Sequence, residues 1–184
     1  MHTVAVLALP GVIPFDLATP IEVFQRTPGY RVVVCGPSPD ISTGLFELRL
    51  SAGLEVLATA DTIMLPGTES FDVPASVVDA LVAAASRGAR IASICSGAFI
   101  LAATGLLDGL RATTHWAAAA ELASRYPLID VDPDVLYVDN GQFLTSAGAA
   151  AGLDLCLHLI RRDHGSAVAA SAARLSVMPL EREG

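Results

Sequence analysis

The sequence predicts an α/β fold in which helices cover both faces of a mostly parallel sheet. Two observations carry that reading. Residues 4–9, 30–35, 61–65 and 90–94 form short runs dominated by apolar, often β-branched side chains, with no regular polar alternation. Strands buried on both faces look like this. Between these runs lie stretches with helical spacing, so strand and helix alternate, and that is the pattern of crossover units feeding a parallel sheet.

Each element follows from its own residues. Residues 4–9 are closed by Pro10-Gly11, and residues 15–24 read as a helix with Pro20 near its first turn. Residues 30–35 stop at Gly36-Pro37, and residues 43–51 alternate apolar and polar, as expected of a short antiparallel excursion on the sheet edge. Residues 61–65 end at Pro66-Gly67, and the helical run 73–86 stops at Arg87-Gly88. The strand 90–94 leads into Cys95 and then a helical stretch rich in small residues, residues 96–103. A further helix is expected around 116–124. A hairpin is expected where 135–138 and 142–144 flank Asp139-Asn140-Gly141. Helices over 149–162 and 167–175 complete the chain. With no internal repeat or linker, residues 1–184 are expected to form one domain, a length suited to a sizeable core.

Composition narrows the classes of function. Hydrophobic residues make up 53% and charged ones 16%, as in a packed globule. Nineteen acidic residues face eleven basic ones, all arginine, for a net charge of −8. This balance argues against the domain itself gripping nucleic acid, where phosphates must be neutralised. Cys35, Cys95 and Cys156 are an odd set without paired spacing, so neither a disulfide framework nor a zinc site is expected. No phosphate loop, metal-ligand pair or dinucleotide fingerprint appears, so no cofactor and no metal are expected. Without a visible signal peptide or a long apolar run, the expectation is a reduced, cytoplasmic protein that does not engage a membrane.

The chemistry points to Cys95, placed at a strand-to-helix turn. Such a turn is strained and holds its side chain exposed at the carboxyl edge of the sheet, where ligands bind in open α/β folds. The first helical N–H groups can there lower a thiol pKa and stabilise an oxyanion. A small buried core residue is the plain alternative for a free cysteine. Other segments reaching the same edge bring Asp16, Gly67, Thr68, Ser96, His115 and Thr145. Asp16 is either a helix cap or an acid facing the thiol, raising its pKa when ionised and shuttling a proton when not. Ser96 is a first-turn residue, a second hydroxyl of the site, or both. His115, beside Trp116, is a base or one of a packed ring pair. His158 and His164 read as structural, and Cys35 and Cys156 as inert core.

Together these residues resemble the DJ-1/PfpI superfamily over nearly the whole chain. The carriers are Phe15-Asp16-Leu17-Ala18-Thr19-Pro20-Ile21-Glu22-Val23-Phe24, Leu65-Pro66-Gly67, Ile94-Cys95-Ser96-Gly97-Ala98-Phe99, Ala112-Thr113-Thr114-His115-Trp116 and Thr145-Ser146-Ala147-Gly148. The run Gly152-Leu153-Asp154-Leu155-Cys156-Leu157-His158 completes the set. The resemblance implies a flavodoxin-like three-layer sandwich, similar to class I glutamine amidotransferases, that is usually dimeric. It also implies a nucleophile-elbow cysteine, Cys95, contacted by an acid, Asp16. Within that branch the sequence is similar to two kinds of member. In isonitrile hydratases Cys95, Asp16 and the hydroxyl residue at Ser96 would be catalytic. In amino-terminal domains of AraC-type regulators the same pocket, including Gly67, Thr68, His115 and Thr145, would bind a small-molecule ligand. Ser96 stands where Thr is common, and no His follows Cys95 as in PfpI-type proteases. Residues 174–184 resemble the linker leading to a helix-turn-helix module, so DNA would be reached only through a domain absent from this chain.

Overall fold

The structure is a computed structural model that describes residues 1–182. In chain order the elements are β1 (His2–Leu7), α1 (Pro14–Gln25), β2 (Tyr30–Cys35), β3 (Asp40–Ser42), β4 (Glu47–Arg49), β5 (Thr62–Leu65), α2 (Ala75–Ser86) and β6 (Arg90–Ile94). There follow α3 (Gly97–Ala102), β7 (Arg111–Ala112), α4 (Ala119–Arg125), β8 (Asp130–Val131), β9 (Tyr137–Asp139), β10 (Phe143–Ser146), α5 (Ala150–His164) and α6 (Ser166–Leu175). Single 3-10 turns cover Leu54–Ala58 and Trp116–Ala118.

Six strands form the central sheet in the order β2-β1-β5-β6-β10-β9. All neighbours are parallel except β9, which closes the edge antiparallel to β10. Alternate side chains of each strand enter opposite layers, because the strand period is two. Ala5, Leu7, Ile63, Leu65 and Ile91 pack against Val77 and Leu81 of α2 and Phe99 of α3. Val4, Val6, Met64, Ala92 and Ile94 pack against Phe24 of α1, Leu155 and Leu159 of α5 and Ala169 of α6. The predicted three-layer sandwich is therefore the observed one. Among the described residues no helix is long and apolar enough to cross a membrane.

Two local expectations need correction. Pro20 lies within α1, not near its start; Pro14 occupies the opening turn. Pro20 therefore lacks the N–H that would reach the Asp16 carbonyl, and the helix carries that missing bond in its interior. The antiparallel excursion is present but is a separate two-stranded sheet of β3 and β4, not an edge of the main sheet. Its tip is closed by the Thr43 N–H on the Phe46 carbonyl at 3.0 Å, so part of the alternating run 43–51 is turn.

The end of the sheet opposite the carboxyl edge is held by a partly buried polar knot. Arg90 of β6 donates twice to Asp163 of α5, at 2.8 and 2.6 Å, and Tyr30 of β2 donates to the same carboxylate at 2.7 Å. Arg90 also donates to Thr62 of β5 at 3.0 Å. One carboxylate thus ties strands from the edge and the centre of the sheet to the long helix.

Candidate functional site

Cys95 follows β6 directly and adopts φ of 57°, a left-handed conformation costing a non-glycine residue about 1–2 kcal/mol. Its surroundings hold it there. The Cys95 N–H donates to the Ser146 carbonyl at 3.0 Å, and Thr114 Oγ1 donates to the Cys95 carbonyl at 2.8 Å. Two glycines make room for the turn. A Cβ on Gly148 would come within 2.4 Å of Cys95 Cβ and 2.8 Å of Sγ, and one on Gly97 within 2.0 Å of the Leu65 carbonyl oxygen. The predicted strained turn is present, but its exposure is not: Cys95 is only 8% exposed.

Asp16 approaches from the other side of the same edge. The Ile13 N–H donates to the Gly67 carbonyl at 2.8 Å, and Val12 bridges Thr68, which pins the start of α1 to the loop after β5. Asp16 sits in the first turn, yet it does not cap the helix; the cap position is Ile13, with no side-chain bond. Instead the carboxylate, 2% exposed, accepts the Ala149 N–H on Oδ1 at 3.2 Å. Oδ2 is buried without a partner meeting hydrogen-bond geometry among the described residues. A Cβ on Gly67 would stand 2.5 Å from that oxygen, so glycine there leaves the carboxylate its place.

Burial pushes the Cys95 thiol up to about 11, and the neighbouring Asp16 charge adds to the rise, against the Ser96 N–H and hydroxyl. Burial likewise raises Asp16 above the ordinary carboxylate range. The Ala149 N–H, the Cys95 thiol, the Gly67 N–H and the more distant His115 work the other way. The helix start can favour a thiolate, but here desolvation exceeds what the short α3 supplies. Each group acts on the other, and a thiolate forms most readily if Asp16 takes or shares the proton.

The remaining predicted residues divide between this pair and the frame around it. Ser96 is buried, and its hydroxyl accepts the Thr68 N–H at 2.9 Å and donates to the Thr68 carbonyl at 2.8 Å, stapling α3 to the loop after β5. Thr68 Oγ1 donates to the Ser70 carbonyl at 2.6 Å. Thr145 is fully buried in β10, where its hydroxyl accepts the Thr113 N–H at 2.8 Å. That bond fixes the segment carrying Thr114 and His115. His115 is partly exposed, and its Nδ1 accepts the Ala117 N–H at 3.3 Å, which leaves Nε2 free to carry the proton. Cys35 and Cys156 are wholly buried with their thiols raised, Cys35 to about 12. Among the described residues no three His, Cys, Asp or Glu side chains group to hold a metal.

Sequence reasoning missed the Ala149 N–H that holds Asp16. A main-chain donor has no side-chain signature, and Ala149 takes φ of 49°, which nothing in an Ala-rich run announces.

Known proteins resemble this chain in sequence and in fold. The regulator GbdR of Pseudomonas aeruginosa, described as an HTH-type transcriptional regulator, is 31% identical over 141 residues, covering 71% of this chain but 38% of its own length. The chain thus spans about two fifths of that relative. The isonitrile hydratase of Pseudomonas putida is 30% identical over 158 residues, covering 83% of this chain and 68% of that enzyme. A crystal structure of an AraC family transcriptional regulator from Pseudomonas putida superposes with a TM-score of 0.84 at 18% identity, covering 96% of this chain and 100% of that one. The sequence profile of the DJ-1/PfpI family matches residues 2–162, nearly the whole sheet and the Cys95 edge with it. On that match, with the fold and the Cys95–Asp16 arrangement in place, the chain belongs to the DJ-1/PfpI family.

Proposed function

We propose that this chain is the ligand-sensing and dimerisation domain of an AraC-family transcription regulator. The observation that carries the reading is the partial span of the regulator relatives: GbdR matches over 38% of its length, and CdhR of Pseudomonas aeruginosa over 45%. A domain of this kind would bind a small molecule at the Cys95–Asp16 pocket, with Gly67, Thr68 and His115 at its walls and Thr145 bracing the His115 segment. Two copies would space two DNA-binding units on two half-sites. Contact with DNA would belong to those units, consistent with a net charge of −8 here. A thiol raised to about 11 suits a resting sensor better than an already ionised nucleophile.

The second reading is an isonitrile hydratase-like hydro-lyase, favoured by the 68% span of that enzyme and by a buried acid next to the thiol. The Cys95 sulfur would add to the terminal isonitrile carbon while its proton passes through Asp16 to the adduct. Water would then add at that carbon, the C–S bond would break, and the N-substituted formamide would leave with the thiol restored. Incubation with an alkyl isonitrile separates the readings. No formamide, together with coding sequence beyond codon 184 that runs into helix-turn-helix units, supports the regulator. Formamide production that Cys95→Ala abolishes refutes it in favour of the enzyme.

A further inference from the structure

A cavity lies along α5, under the tail that follows α6, and neither Cys95 nor Asp16 lines it. Val177 takes φ of 53° and turns the chain back, and Met178 and Leu180 pack onto the α1/α5/α6 layer. Arg182 then grips the buried Asp154 of α5 at 3.1 and 2.6 Å, and Glu181 pairs with Arg161. Between this strap, α5 and β9 is a space of about 210 Å³ reached by Tyr137, His158, Arg161, Glu181 and Arg182.

Its polar groups do not balance without Glu181. Asp139 accepts from His158 Nε2 at 2.7 Å, from Arg162 at 2.9 and 2.8 Å, and from the Gly141 N–H at 2.7 Å, so it is fully engaged. Asp154 is engaged by Arg182. With Nε2 carrying its proton toward Asp139, His158 Nδ1 offers a single lone pair. Two donors converge on it, Tyr137 Oη and Arg161 Nη2, each at 3.3 Å. One donor is left over, and a protonated His158 would leave more. Among the described residues, and leaving Glu181 aside, three guanidiniums, on Arg161, Arg162 and Arg182, face the two carboxylates of Asp139 and Asp154. The remaining positive charge is neutralised by Glu181, whose side chain is 68% exposed.

We propose that this cavity is a second ligand site, for a small carboxylate, and that Glu181 occupies it as a built-in competitor. The Arg161 guanidinium presents the planar fork that carboxylates bind through paired N–H groups, and Tyr137 supplies a further donor. A carboxylate entering from solvent takes the Arg161 fork while Glu181 swings into water, and Arg182 keeps the strap on Asp154. The site depends on neither Cys95 nor Asp16, so it stands or falls separately from the reading of that pocket.

The test is calorimetric titration of acetate and of succinate into the whole chain at constant ionic strength. Glu181→Gln removes the competitor and binds about two- to fivefold tighter than wild type, the change set by losing one exposed ion pair. Arg161→Gln abolishes binding. Equal affinity in Glu181→Gln and wild type, or undiminished binding by Arg161→Gln, overturns the proposal. Should Arg161→Gln fail to fold, the His158 ring resonances of the wild-type chain decide. A shift with acetate and not with matched sodium chloride supports the site; no shift, or the same shift with chloride, overturns it.

Discussion

Gly148→Ala tests whether close packing against Cys95 shapes the site. Gly148 has φ of +90°, and an added Cβ would meet Cys95 Cβ at 2.4 Å, its Cα at 2.8 Å and its Sγ at 2.8 Å. Two costs are therefore expected: a backbone term of about 1–2 kcal/mol for the left-handed alanine, and about 1–3 kcal/mol for overpacking that the buried turn cannot relieve. Gly88→Ala carries the backbone term alone, because Gly88 has φ of +94° with nothing within 4 Å of its added Cβ, so the difference between the two variants gives the overpacking term. In urea denaturation, Gly148→Ala should lose about 1–3 kcal/mol more than Gly88→Ala. For a domain of this size that is a further fall in Tm of roughly 2–12 °C. Alkylation of Cys95 should change with it, since the same contact displaces Sγ. Equal losses in the two variants would refute the claim that Gly148 is required by Cys95 and would leave only its backbone angle as the reason for glycine.

Other outcomes follow from the site's electrostatics and its frame. Asp16→Asn keeps the acceptor for Ala149 and removes the charge that raises the thiol, so the pH midpoint of Cys95 alkylation should fall below about 11; an unchanged or higher midpoint refutes the coupling. Because the Asp16 pKa is raised on folding, its proton favours the folded state, and stability is lost as pH rises above its unfolded value of 3.8. The stability advantage of Asp16→Asn over wild type should therefore grow across that rise, as read from Tm against pH. Asp163 is lowered on folding: burial opposes its charge, but Arg90 and Tyr30 outweigh it. Its stabilisation is thus present above its unfolded 3.8 and fades as pH falls through its folded value. Asp163→Asn should cost about 1–3 kcal/mol at neutral pH by leaving the partly buried Arg90 without its charge partner, and should flatten the acid limb of the stability curve. Thr145→Val strands the buried Thr113 N–H and should cost about 1–3 kcal/mol in urea denaturation, with little loss if water reaches that group.

Much of the architecture was legible because local patterns encode it. Continuous apolar runs such as residues 4–9 belong to strands buried on both faces, and the helical spacing of 149–162 matches α5, which covers one of those faces. The hairpin at Asp139-Asn140-Gly141 and the turn at Cys95 were likewise set by a few adjacent residues. Family resemblance then supplied the pairing of Cys95 with Asp16, which periodicity alone leaves open between a cap and an acid.

What the chain by itself determined, then, is the order of layers and the placing of Cys95 at a strand-to-helix turn, because neighbouring residues decide both. Tertiary structure decided the chemistry. Asp16 is turned from capping by an N–H 133 residues away, and Ser96 and Thr145 spend their hydroxyls on Thr68 and Thr113. The Cys95 thiol is raised because burial desolvates it and the neighbouring Asp16 charge disfavours a second negative charge. Protonation and hydrogen-bond partnership depend on distance and solvent access, and both are set only when segments remote in sequence pack together.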